Sequence, residues 1–154
     1  MGTSFVSVDG SHGFWMRDDI LELWLRLLSL HVLEPGNTDP ASTHAATKRI
    51  RDGWLRASKG WFGGMVPHQL EEAVAEPEGR RIIKGAISSL VGALSRGSAM
   101  IDRNTLNLLG IEKKQFKSDV DRKRLIAVGA AFLDLLDGKI TATARSTEFM
   151  PGSR

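Results

Sequence analysis

Residues 18–33 (DDILELWLRLLSLHVL) are spaced as a helix that is apolar almost all the way round. Its only regular polar stripe is Asp19, Glu22, Arg26 and Ser29, three or four residues apart. A helix with so narrow a wet face has to be covered by protein on its remaining sides. The spacing therefore predicts a domain assembled around its first helix. Glu22 and Arg26 stand four apart, in the order that favours a surface ion pair.

The rest of the chain supplies the cover. Asp39-Pro40 opens a second helix running to about Ser58, after Pro35-Gly36-Asn37 has ended the first. A short helix is expected from Pro67 to about Ala75. A longer one is expected from Glu78 to Arg96, with Ile83, Ile87, Leu90 and Leu94 as its core stripe. Asp102 caps a small helix, Arg103 to Leu109, and Asp119 starts a last long one that ends at Asp137, before Gly138. Gly129, Ala130 and Ala131 permit a close helix approach. Leu25, Leu28, Ile87, Leu90, Phe132 and Leu136 are expected to share one core. Phe5, Val6 and Val8 form a β-prone run, read as a possible short N-terminal strand or an ordered arm. The predicted fold class is all-α: a single-domain bundle of about six helices around a buried N-terminal helix, residues 1–138, followed by a flexible polar tail, 139–154.

A chain of 154 residues is long enough to bury a core without staples, and it has no cysteine, so disulfide and thiolate chemistry are excluded. The opening MGTSFVSVDG has no basic region and no long apolar run, so a secretory leader is not expected. The most apolar stretch carries Asp18, Asp19, Glu22 and Arg26, which excludes it as a membrane span. A soluble, cytoplasmic protein is expected.

Catalytic patterns are sparse. The histidines are His12, His31, His44 and His68, none three or four apart, so no metal site is expected. There is no phosphate-cradling glycine loop after a strand and no nucleophile elbow, so no cofactor is expected either. Asp134 and Asp137 could share a helix face, but they read as a solvated helix end. Arg26 and His31 resemble the R-x4-H motif of HEPN-family helical ribonucleases, which would imply metal-independent RNA cleavage. That match covers two residues, Leu27 stands where the family has a polar residue, and five residues is about 140° of helical rotation. The other reading pairs Arg26 with Glu22 and leaves His31 as a helix-end residue.

Binding chemistry is concentrated in one stretch. Residues 1–47 carry two basic side chains against six acidic ones, a balance of −4, whereas residues 48–63 carry five against Asp52, a balance of +4. There Arg49, Arg51, Arg56 and Lys59 surround Trp54, Trp61 and Phe62. Trp and Arg dominate protein-binding hot spots, and aromatics interleaved with cations also suit single-stranded nucleic acid. Trp54 fits the core through the second helix. Trp61 and Phe62, set between glycines, are either a plug or an exposed anchor. A second basic cluster, Lys113, Lys114, Lys117, Arg122, Lys123 and Arg124, offers the alternative of a nucleic-acid-binding protein using residues 48–59 and 113–124. The candidate partner-binding residues are Arg51, Lys59, Trp61 and Phe62, with Asp19 and Glu22 from the acidic segment.

The stretches GFWMRDDILELWLRLLSLHVLE (13–34) and IRDGWLRASKGWFGGMVPHQLEEAV (50–74) resemble small helical immunity proteins of bacterial toxin–immunity pairs, including contact-dependent inhibition systems. The resemblance implies a non-enzymatic, cytoplasmic inhibitor that blocks a cognate toxin domain by stoichiometric binding. Immunity proteins against nucleases are commonly acidic, whereas this chain carries a net charge of +3. An acidic contact surface would have to come from its first 47 residues.

Overall fold

A computed structural model describes residues 2–97, 100–109 and 115–153. In chain order the elements are strands β1 (Thr3–Ser7) and β2 (Gly13–Arg17), helices α1 (Asp18–His31), α2 (Ala41–Ala57), α3 (Leu70–Ala75) and α4 (Gly79–Ser95), strand β3 (Met100–Ile101), helix α5 (Arg103–Leu108), strand β4 (Val120–Asp121) and helix α6 (Arg122–Leu136). The all-α expectation is thereby corrected: among the described residues six helices are joined by two small antiparallel sheets, β1–β2 and β3–β4.

The hairpin explains the correction. Its register pairs Ser4 with Met16, Phe5 with Trp15 and Val6 with Phe14. Alternate residues of a strand face opposite sides. Val6, Phe14 and Met16 are fully buried on one face, while Phe5 and Trp15 meet on the other as tilted rings with centroids 5.3 Å apart. The connecting turn is held by Asp9, whose Oδ1 accepts from the backbone N–H of Ser11 and His12 at 2.8 Å, with Gly10 at a φ of 79°. GFWMR thus alternates as a strand, but it runs straight into the first helix, and the helical pattern beside it hid a period of two.

α1 lies at the centre of the core. Leu21, Leu23, Trp24, Leu25 and Leu28 are wholly shielded, with α2 and α4 packed against the helix and the hairpin at its N-terminus. Leu25, Leu28, Ile87, Leu90, Phe132 and Leu136 belong to one core cluster. α6 packs on α4, and a Cβ at Gly129 would stand 2.5 Å from Val91 Cγ2 and 3.2 Å from the Trp24 ring, so only glycine allows that approach. Asp102 caps α5 as expected, accepting from Thr105 N–H at 3.1 Å. α6 begins three residues later than Asp119, and its cap is Asp121, which accepts from Lys123 N–H at 2.9 Å.

The segment after residue 138, which the sequence reads as a flexible tail, runs back along the hairpin. Gly13 N–H donates to Ala142 O at 2.9 Å, and the Trp15 indole donates to Ala144 O at the same distance. Phe149 stacks edge-on against Phe14 at 5.9 Å, and Pro151 and Gly152 are buried, with Arg124 donating to Gly152 O at 2.7 Å. The segment covers the outer edge of β2, which would otherwise expose unpaired backbone groups.

Candidate functional site

The loop that follows α2, residues 58–66, displays the aromatic pair, and its shape is set by a carboxylate from another part of the chain. Asp18, the first residue of α1, is 2% exposed. Its Oδ2 accepts from Gly64 N–H at 2.6 Å, and its Oδ1 accepts from the Ser4 hydroxyl at 2.6 Å. The Ser4 oxygen in turn accepts from Val66 N–H at 2.9 Å. One buried carboxylate, placed where the helix dipole favours a negative charge, therefore ties together β1, α1 and the far end of the loop. The near end is closed by Ser58 N–H on Trp54 O and by positive φ at Gly60, and the tip by Met65 N–H on Phe62 O.

So held, the loop presents Trp61 at 48% and Met65 at 82% exposure. Lys59 Nζ lies 4.7 Å from the Trp61 ring centroid, in cation–π contact. Phe62 is half-buried, and its carbonyl accepts from Met65 N–H within the loop. Trp54 is a core residue, and its indole donates to His68 O at 3.0 Å.

The remaining candidates separate. Arg51 is ion-paired with Glu34, on the segment between α1 and α2. Asp19 accepts from Arg17 Nη2 at 2.7 Å and is partly exposed beside the hairpin. Glu22 is wholly buried, and Ser29 nearly so, which corrects the wet stripe drawn from helical spacing. Arg26 of the same stripe is part-exposed and borders a recess with Asp52, Leu55, Arg56 and Lys59, so this end of the stripe lies beside the last turns of α2. Periodicity finds the polar face of a helix but not what lies over it. Glu22 is thus out of reach of a docking partner. In the sequence Asp18 reads as an ordinary helix-start acid. Its contact with Gly64 spans 46 residues and leaves no local signal.

The histidines are dispersed. His12 meets Asp9 at 2.8 Å in the exposed hairpin turn, and that turn's hydrogen bonds, led by the His12 N–H, hold the Asp9 carboxyl well below the usual carboxylate range. His44 contacts Gly36 O at 3.2 Å. His31 bonds the Ser89 hydroxyl of α4 at 3.0 Å, while Arg26 faces the α2 side, so the R-x4-H pair points at different neighbours. Among the described residues no group of three His, Asp or Glu could hold a metal. Asp134 and Asp137 are each drawn to a lysine, Asp137 to Lys84 at 2.5 Å and Asp134 to Lys139 at 4.0 Å.

His68 closes the site from below. Its Nδ1 accepts from Leu70 N–H at 3.2 Å, which leaves the proton on Nε2, facing Phe5 O at 3.3 Å. Burial pushes its pKa below the ordinary imidazole value, and burial does the same for His31. Both rings therefore favour the neutral form in the folded state, and the unfolded chain takes up protons first. Stability should be full above about pH 6.5 and fall as the pH drops below it. Urea midpoints measured across that range should show the decline. His68→Asn, which keeps an acceptor for Leu70 N–H, should flatten it, leaving the contribution of His31. An unchanged slope would show that His68 takes up its proton equally in both states.

Most of the basic stretch is already neutralised. Lys48 pairs with Asp52 at 3.2 Å, Arg49 with Glu76, and Arg51 with Glu34. In the second cluster Lys113 and Lys114 lie outside the described residues, and Arg124 is committed to Gly152 O. No described helix is long and apolar enough to cross a membrane. Comparison with protein-family models, curated proteins and solved structures returns no match.

Proposed function

We propose that this chain is a non-enzymatic protein-binding module, an inhibitor of the immunity-protein kind that neutralises a cognate bacterial toxin domain in the cytoplasm by stoichiometric binding. The observation that carries the reading is the exposure of Trp61 and Met65 on a loop locked by the buried Asp18. A large apolar side chain left in water on a rigid support gains on docking and loses little conformational entropy there. A merely structural loop would turn Trp61 inward, as α2 does Trp54.

The test is a comparison of the wild type with Trp61→Ala/Met65→Ala. The two rings of the sequence-based anchor differ in exposure, so Phe62 is left in place to preserve the loop. Affinity capture from the cell that makes the chain should retain a partner that the double variant loses. Titration of that partner should show binding weakened at least about tenfold, with the urea midpoint unchanged. Equal capture by both forms would place the interface elsewhere.

A further inference from the structure

We propose that the docking surface extends from Trp61 and Met65 into the recess between α1 and the end of α2, and that it takes an acidic segment of a protein partner. This rests on the protein-binding reading above and adds the chemistry of the occupant.

The recess measures about 430 Å³ and is lined by Arg26, Asp52, Leu55, Arg56 and Lys59. Lys59 belongs both to the recess and to the exposed loop, since its ammonium sits against the Trp61 ring. The apolar anchor and the cationic recess are thus one continuous surface. Asp52, its only carboxylate, is engaged by Lys48. Among the described residues neither Arg56 nor Lys59 has a carboxylate partner, in contrast to Arg49 and Arg51 on the same helix.

That imbalance selects the partner. Docking over Trp61 removes water from the cations beside it. A cation stripped of water and left unpaired is costly, so the arriving surface has to supply carboxylates next to its apolar contact. Nucleic acid fits less well. Its affinity grows with the number of phosphates neutralised, so it favours a surface with many unpaired cations. Here Lys48, Arg49 and Arg51 are already occupied, and Met65 offers no ring for a base to stack on.

The test uses three short peptides that share a central Leu-Phe-Leu and differ in their flanks: acidic (Asp and Glu), neutral (Ser and Gln) or basic (Lys). Oligo(dT) is the fourth probe. The readout is the indole N–H resonance of Trp61 in the folded, ¹⁵N-labelled chain, assigned through Trp61→Phe. The acidic peptide should move it most. Arg56→Glu, which lies off the loop, should weaken that binding about tenfold or more and, combined with Lys59→Glu, should turn the preference towards the basic peptide. Equal binding of neutral and acidic peptides would overturn the acidic assignment and leave the protein-binding reading standing. Oligo(dT) moving the resonance while no peptide does would overturn both. No movement with any probe would overturn the proposal.

Discussion

Trp24→Ala should lower the unfolding free energy by about 3–5 kcal/mol, the largest single-residue loss expected in this chain. Trp24 is wholly buried in the middle of α1 and stands edge-on to Phe132 of α6 at 5.6 Å. Its ring tip fills the space that a Cβ at Gly129 would otherwise approach to 3.2 Å. Backbone and side chains from α1, α4 and α6 converge on that point. The site cannot collapse into the gap without moving a whole helix, and this puts the cost of the cavity towards the upper part of its range. Urea unfolding should show a lower midpoint with an unchanged slope. Trp24→Phe is the control. Among the described residues the buried indole N–H has no hydrogen-bond partner, so the smaller ring removes an unsatisfied donor along with some packing and should cost much less. A wild-type midpoint for Trp24→Ala would show that α1 is not the centre of the fold.

Asp18→Ala should cost about 3 kcal/mol and free the displayed loop. The substitution removes two short hydrogen bonds to a charged acceptor and leaves Gly64 N–H and the Ser4 hydroxyl without the partner that satisfies them. Hydrogen bonds to charged groups contribute about 1.5–3 kcal/mol each, and a buried donor left unpaired adds a penalty of its own. Asp18→Asn should be milder, because its Oδ1 can still accept from Gly64 N–H while its Nδ2 donates to the Ser4 hydroxyl oxygen, so that the charge is lost but the contact is kept. Hydrogen exchange at Gly64 is the direct measure: slow in the wild type, fast in Asp18→Ala and intermediate in Asp18→Asn. Partner binding through Trp61 should weaken as well, since a loosened loop has to be ordered again at each docking event. Unaltered Gly64 exchange and an unaltered urea midpoint would mean that the loop holds its shape without Asp18.

The two variants probe different kinds of information. Trp24 belongs to a pattern readable within a few turns of helix. Apolar residues at a spacing of three and four identify α1, α2, α4 and α6, and Asp102 before Arg103 marks the start of α5, because these signals lie among near neighbours. That α1 sits at the centre was legible too, since a helix with so little polar surface has no other stable place. Trp61 and Phe62 stood out chemically, as bulky rings among glycines, but their neighbours in sequence did not determine which ring faces water.

The tertiary structure decided the rest, for a reason common to every instance. Gly13–Arg17 becomes a strand because Thr3–Ser7 pairs with it and both contribute to the core under α1. Glu22 is buried because protein lies over a stripe that, on an isolated helix, would be wet. Residues 139–153 lie against the hairpin because β2 has an edge to cover and Arg124 a carbonyl to hold. Asp18 governs a loop 46 residues away because folding brings Gly64 N–H to its oxygen. Secondary structure and apolar periodicity depend on interactions within one or two turns, so the sequence by itself determined the helices and which of them had to be central. Burial of a polar side chain, pairing of a strand and the posture of a loop depend on groups far along the chain, and only the packed structure brings them within reach.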